Sequence, residues 1–346
     1  MIKMKCEMGS GRSRGAATLI AAALGLTVVA NHTPARAASF GCAKAATAKE
    51  RLVCSDPGLS KLDSDMGDLY RQALSQLSPA GGQRLKATQR RWLIYLNVAC
   101  PLPLASLSRE DESCVRHVYS ERVGDLKLAA VRRGPYLFTR VDLYRATILP
   151  LDDSESPPDK RRALFHIAYP QIDHPTDVAA RQWNRLVVQA DPETGCEVAG
   201  DVTVAYKLGL ATKRLISVTW TNWEYCHGTP HGHGRSNAQT MILSPGVRPL
   251  RPDDLFLRGR PWKAKLTALL EAAVDKEARD AGDADLARLN IEAAVAVAAS
   301  PKRWSLTEEG LEVYFDPYEL GEGYPFAPEI KVPWSALKDV LVGPPV

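Results

Sequence analysis

The apolar residues of this chain change period at Arg132–Pro135, and no single layer of secondary structure can satisfy both halves. Before that point Leu59, Leu62, Met66, Leu69, Ala73 and Leu77 step by three or four, one stripe along a helix. Leu85, Thr88, Trp92, Leu96 and Ala99 form a second stripe, and Val115, Val118, Tyr119, Arg122 and Leu126 a third. Trp92, in phase with Leu85 and Leu96, is a core residue, whereas Arg90 and Arg91 fall on a solvated face. Asp56, Pro57 and Gly58 break the chain before the first stripe, Ser78 and Pro79 signal the next helix start, and Cys100, Pro101 and Pro103 stop it. Arg132, Arg133, Gly134 and Pro135 read as a short junction.

Beyond the junction, Tyr136 to Leu149 and Arg162 to Tyr169 read as strands separated by the polar loop Leu151 to Lys160. Asp177 to Gln189 reads as a helix packed through Val178, Trp183, Leu186 and Val187. Asp201 to Leu208, Leu215 to Trp223 and Ala238 to Leu243 look like an antiparallel meander, followed by a helical stretch from Trp262 to Ser300 and a strand from Leu311 to Phe315. Alternation places Tyr314 and Phe315 on opposite faces of that strand, so one of them is core. The fold class is therefore multi-domain: a disulfide-bearing all-α helical module followed by an α+β domain with an antiparallel sheet.

The first 37 residues have the grammar of a secretory signal: Lys3, Lys5, Arg12 and Arg14, the apolar run Ala16 to Ala30, then Ala35, Arg36 and Ala37 before a cleavage site. The run is shorter than the roughly 20 residues a spanning helix needs, so no transmembrane segment is expected after cleavage. The domains are then 1–37 signal peptide, 38–131 helical and 135–346 α+β, and the product is periplasmic or secreted. With five of the 44 basic and one of the 40 acidic residues in the leader, the remainder carries 39 of each sign. A neutral chain gives no support to nucleic acid as partner.

Removal of Cys6 leaves Cys42, Cys54, Cys100, Cys114, Cys196 and Cys226, an even number suited to disulfides in an oxidising compartment. The first four allow three pairings, and Cys226 has a partner in Cys196. His227, His231 and His233 beside Cys226 could converge on a metal from a turn, but a polar or recognition loop is the reading adopted, with no metal and no cofactor assigned. Asp253 and Asp254, before Leu255 and Phe256, read as turn and capping residues. No nucleophile-elbow, phosphate-loop or zinc-protease motif occurs, so no catalytic residue is named and the protein is read as a non-enzyme.

Phe40, Gly41, Cys42, Ala43, Lys44, Ala45, Glu50, Cys54, Leu59, Leu62, Asp63 and Tyr70 carry a resemblance that continues through Gln89, Arg90, Trp92, Leu93, Cys100, Cys114, Tyr119 and Arg122. By these residues the region of about 40–126 resembles the amino-terminal domain of the LprI-type lysozyme inhibitors. Residues of about 136–342 resemble the extracellular domain of the RsiV and PdaC type. That likeness rests on Tyr169, Pro170, Ile172 and Asn184, on Gly228, Pro230, His231, Asp254, Leu255 and Phe256, and on the run Leu306, Thr307, Gly310, Leu311, Tyr314, Phe315, Pro317, Tyr318 and Glu319. Val332, Pro333, Trp334 and Leu337 continue it. In the relatives a Gly-Gly-Ala-His turn is usual, where this chain has Gly228, Thr229, Pro230 and His231.

Both resemblances imply a link to lysozyme. The expected partner is lysozyme or another peptidoglycan-lytic enzyme, with peptidoglycan itself the runner-up and a metal-dependent envelope enzyme the third reading. A loop that fills a glycosidase cleft and donates hydrogen bonds to its paired carboxylates would inhibit without chemistry of its own. The candidate loops are His227 to Arg235 and Tyr318 to Phe326, with His227, His231, His233, Arg235, Tyr318, Glu319 and Tyr324 as binding residues. Tyrosines on a proline-stiffened loop supply contact area at low ordering cost. Glu308, Glu309, Glu312, Asp316, Glu319 and Glu322 add an acidic stretch that would face a basic partner.

Overall fold

The computed structural model describes residues 38–103, 107–148, 161–189, 196, 199–281, 296–317, 319 and 329–343. The leader, the 151–160 loop, residues 282–295 of the 262–300 stretch, Tyr318 and Tyr324 lie outside them. Helices α1 (Ala48–Ser55), α2 (Pro57–Gln76), α3 (Pro79–Ala99) and α4 (Arg109–Lys127) form the amino-terminal layer. Each is capped: Thr47 and Ser108 make full capping boxes with Glu50 and Asp111, while Asp56 and Ser78 accept from Leu59 and Gly81 amides ahead of Pro57 and Pro79. The three stripes turn inward as read, and Trp92 meets Tyr119 edge-on at 5.2 Å in the core.

Two disulfides close this layer, Cys42–Cys54 across the first turn and α1, and Cys100–Cys114 between the end of α3 and α4. Of the three pairings open from sequence, the chain adopts the one that closes the shortest loops.

Strands β1 (Ala130–Arg133), β2 (Tyr136–Ile148), β3 (Arg162–Ile172), β4 (Gly200–Ala211), β5 (Leu215–Cys226), β6 (His233–Ile242) and β7 (Arg248–Pro249) follow in spatial order. The expected junction at Arg132–Pro135 is instead a β-hairpin: Arg133 pairs with Tyr136 across Gly134. Gly134 has φ +52°, and a Cβ there would overlap the Ala211 carbonyl oxygen, so the turn demands glycine. The sheet is antiparallel except between β3 and β4, which run parallel from Phe165↔Val202 to Ile167↔Val204. A parallel neighbour requires a crossover, and α5 (Val178–Leu186), capped by Asp177, lies within that connection. Its Trp183 is fully buried, edge-on to Phe138 at 5.6 Å.

A second, three-stranded sheet is made of β8 (Trp304–Leu306), β9 (Gly310–Tyr314) and β10 (Glu329–Pro333), with α6 (Trp262–Ala281) against it. Phe256 stacks on Trp262 at 4.5 Å and meets Trp304 edge-on at 5.7 Å. Here strand alternation misleads: Phe315 and Tyr314 are both buried, at 0% and 7% exposure. The second sheet is covered on both sides, by α6 and by the large sheet, where Ser217 Oγ accepts from Leu306 N and Lys207 reaches Glu312 at 2.9 Å. A strand enclosed on both faces buries every side chain. Asp254 is a turn residue as read, chelated by Arg248 at 2.6 and 2.7 Å and accepting from the Arg251 amide.

Candidate functional site

The histidine segment is the turn of the β5–β6 hairpin. Pairing from Leu215↔Ile242 to Glu224↔His233 fixes its arms, and Cys196–Cys226 ties the tip to the start of β4. Gly228, at φ +94°, turns the chain, and the Thr229 hydroxyl donates to the Cys226 carbonyl at 2.7 Å. The three imidazoles do not converge on one point. His227 Nε2 lies 3.2 Å from Asp201, His233 Nε2 lies 3.2 Å from Glu224, and His231 Nδ1 faces the Gly232 carbonyl at 3.0 Å. His227 is largely buried, while His231, His233 and Arg235 are exposed and form the accessible rim.

Among the described residues, two other groups bring metal-type ligands together. One is Cys196, Glu224 and Cys226, whose sulfurs are joined in the disulfide; the other is Asp125, Asp142 and His166, whose carboxylates already hold two guanidiniums. The disulfide leaves the first set without thiolates, and an arginine beside Asp125 and Asp142 supplies the charge that a cation would bring to the second, so neither donor set is suited to a metal.

The second candidate segment begins beside this hairpin. The Ser236 amide, next to Arg235, donates to Asp316 at 2.8 Å, and Arg303 bridges Asp316 at 2.9 Å and Glu319 at 3.0 Å. Glu319 also accepts from the Asp316 amide at 2.7 Å, so its carboxylate holds the fold together rather than standing open to a partner. The acidic stretch is likewise no uniform face: Glu312 is buried against Lys207 and the Tyr314 hydroxyl, whereas Glu308 and Glu309 are exposed. Tyr318, Tyr324 and Glu322 lie outside the described residues.

Sequence reading missed Trp223. It stands at 47% exposure on β5, opposite Gly234 on β6 and Thr203 on β4. Its signal was there to find, since Gly232 and Gly234 alternate on the facing strand. A Cβ at Gly232 would come within 2.7 Å of the indole, and one at Gly234 within 2.9 Å.

Several residues that carry the likeness in the helical module are internal, Leu59, Asp63, Trp92, Tyr119 and Arg122 among them, whereas Lys44, Arg90 and Leu93 are exposed. Arg122, 1% exposed, donates from Nε to Gln89 at 3.0 Å and from Nη1 to Asp142 of β2 at 3.2 Å. Arg140 donates to Asp142 at 2.7 Å and to Asp125 at 2.7 Å. His166 lies 3.0 Å from Asp142 and stacks on Tyr144, whose hydroxyl donates to Asp125 at 2.6 Å. Burial alone would raise the Asp142 pKa, but Arg140, His166 and Arg122 together hold it well below the usual carboxylate range. Asp125 is pushed up, by burial and then by the Asp142 charge. This network joins helices to sheet and leaves no accessible group for a partner.

A cleft of about 710 Å³ lies elsewhere, lined by Tyr136, Asp173, His174, Asp177, Lys213 and Ser244 among others. His174 has φ +50° there, while Asp173 is committed to the Ser78 amide and hydroxyl at 2.6 and 2.7 Å.

Residues 42–126 match the family described as lysozyme inhibitor LprI, and residues 253–335 match the protein family of unknown function DUF3298. Lipoprotein LprI of Mycobacterium tuberculosis is 32% identical over 112 residues, 32% of this chain and 52% of that protein. The chain thus spans about half the length of the lipoproteins it matches. Peptidoglycan-N-acetylmuramic acid deacetylase PdaC of Bacillus subtilis is 24% identical over 162 residues, 46% of this chain and 33% of that enzyme. A crystal structure of a DUF3298 member from Bacteroides fragilis superposes with a TM-score of 0.42 at 18% identity, covering 62% of this chain and 97% of the other. The chain therefore carries an LprI domain followed by a DUF3298 domain.

Proposed function

We propose that this protein binds lysozyme or a related peptidoglycan-lytic enzyme in the cell envelope, and inhibits or senses it without catalysis of its own. The observation that carries the reading is the match of the disulfide-closed helical module to the lysozyme-inhibitor family. The PdaC relative, named for peptidoglycan chemistry, supports an envelope setting. Export to a periplasmic or secreted location accords with the three disulfides, and no described helix is long and apolar enough to cross a membrane. Residues 38–131 and 135–346 are taken as the two domains.

Trp92, Tyr119 and Arg122 of that signature are buried while Lys44, Arg90 and Leu93 are exposed, so recognition falls to exposed residues. On this reading the exposed rim of the hairpin, His231, His233 and Arg235, enters the partner's cleft and donates hydrogen bonds to its carboxylates. His227 supports the rim from beneath through Asp201. Tyr318 and Tyr324 complete the proposed contact set, and Glu319 holds the base of their segment.

Calorimetric titration of the oxidised, exported protein with lysozyme is expected to give saturable binding at micromolar or tighter affinity, with protection in a cell-lysis assay. Binding without protection would identify a sensor. Heat that disappears on doubling the salt would mean only screened attraction to a basic protein, and no heat at all would sink the proposal. Replacing His231, His233 and Arg235 together with alanine is expected to weaken binding about tenfold or more, as loss of a hot-spot cluster does. Unchanged affinity would move the contact away from the hairpin.

A further inference from the structure

The exposed face of the large sheet around Trp223 has the features of a sugar-binding platform. Trp223, the largest kind of side chain, keeps 47% of its surface in solvent. Gly232 and Gly234 leave room for the indole to span the backbone of the adjacent strand: added methyl groups would meet Cζ2 and Cε2 from one glycine and Cε3 from the other. The indole therefore rests on the hairpin and offers its outer side to solvent. Register places hydroxyl-bearing residues around it on the same face, together with Ala205 and the Tyr225–Asp201 pair. Thr203 pairs with Trp223, and Thr221, one strand repeat away, pairs with Ser236 on one side and Ala205 on the other. Thr203, Thr221 and Ala205 are exposed.

We infer that this platform binds one pyranose ring of a β-1,4-linked glycan. A pyranose in the chair form presents a face of axial C–H groups, and the negative face of an aromatic ring attracts the positive hydrogens there. Its equatorial hydroxyls then lie at the rim, where Thr203, Thr221 and Ser236 offer donors and acceptors. A protein partner fits less well. Hot-spot tryptophans fill pockets at the centre of an apolar contact, whereas this indole lies over two glycines with Thr203, Thr221, Ser236, Tyr225 and Asp201 on its face, a polar surround. The inference stands apart from the lytic-enzyme reading and adds a second ligand, which would hold the protein on the polymer that such enzymes attack.

The test uses the full exported chain with two probes, insoluble peptidoglycan in a co-sedimentation assay and chitotetraose in a calorimetric titration. Wild type is expected to bind both. Trp223→Ala is expected to weaken binding about tenfold, and Trp223→Phe to retain part of it. Gly234→Val keeps the indole but displaces it, and is expected to weaken sugar binding as well. An unchanged thermal midpoint for Trp223→Phe shows that the fold is intact, and that variant alone decides the matter if the alanine protein does not fold. Failure of wild type to bind either probe overturns the inference, as does equal binding by every variant. Loss of lysozyme binding with sugar binding unchanged in Trp223→Ala overturns it too, assigning the indole to a protein contact. Lysozyme titrated without glycan keeps the two proposals separate.

Discussion

Replacing Asp142 with alanine is expected to destabilise the protein by about 3–5 kcal/mol, the cost of breaking a buried ion network from one side. Asp142 is 2% exposed and accepts from Arg122 and Arg140, with His166 at 3.0 Å. Its removal leaves Arg122, 1% exposed, without a counter-charge, and leaves Arg140 with Asp125 alone. At roughly 2–4 °C per kcal/mol for a chain of this size, calorimetry should show a midpoint lower by about ten degrees. A shift under about two degrees would mean that water enters and solvates the arginines. The pH dependence provides a second check. A carboxylate whose folded pKa is depressed contributes stability that is present above its unfolded value, about 3.9, and is lost as pH falls through the folded value. Asp125 is shifted the other way, so its contribution is present below the unfolded value and lost as pH rises. The gap between wild type and Asp142→Asn should therefore be widest near neutrality and narrow below about pH 4.

That network also marks the limit of what could be read from the chain beforehand. Helical stripes and caps were legible because they are local: Ser78 and Pro79 state a helix start whatever lies around them, and the Leu85, Trp92, Leu96 face follows from the helical period. The meander was legible for the same reason. Asp142, by contrast, sits in a strand with nothing near it in sequence to show that Arg122, 20 residues earlier, would meet it. Arg132–Pro135 looked like a linker since charged and turn residues mark both a linker and a hairpin, and only pairing with β2 tells them apart. Tyr314 and Phe315 followed the period-2 rule in direction, but the rule is silent on whether the outer face is covered, and here the large sheet covers it. At the candidate site the histidines were easy to notice because they cluster, yet the structure distributes them to Asp201, Glu224 and a backbone carbonyl. Trp223 passed unnoticed because exposure is a tertiary property. Its seat is built from two glycines that, in sequence, look only like turn residues.

Removing both disulfides of the helical layer is expected to have an effect at least as large as that of Asp142. Cys42–Cys54 and Cys100–Cys114 span 12 and 14 residues, and in the chain-entropy account each constrains the unfolded state by about 3 kcal/mol. A helical layer this small buries a limited core, led by Trp92, Leu85, Leu59 and Val115, and has little stability to spare. With all four cysteines replaced by alanine, a loss of roughly 6 kcal/mol should unfold α1–α4 while the sheets stay paired. Differential scanning calorimetry would then show a second, lower transition, and amide exchange would be fast across α2–α4 and slow across β4–β6. Replacing Cys196 and Cys226 instead should leave that layer protected, since their bridge, 30 residues in span, ties the histidine hairpin to the start of β4. Its loss should appear as faster exchange at the hairpin tip, around Cys226–Gly232, and as weaker binding if that tip enters a partner's cleft. A single cooperative transition in the four-alanine protein, within about 1 kcal/mol of wild type, would instead show that the Arg122–Asp142–Arg140 network and the Trp92–Tyr119 core hold helices and sheet together without covalent help.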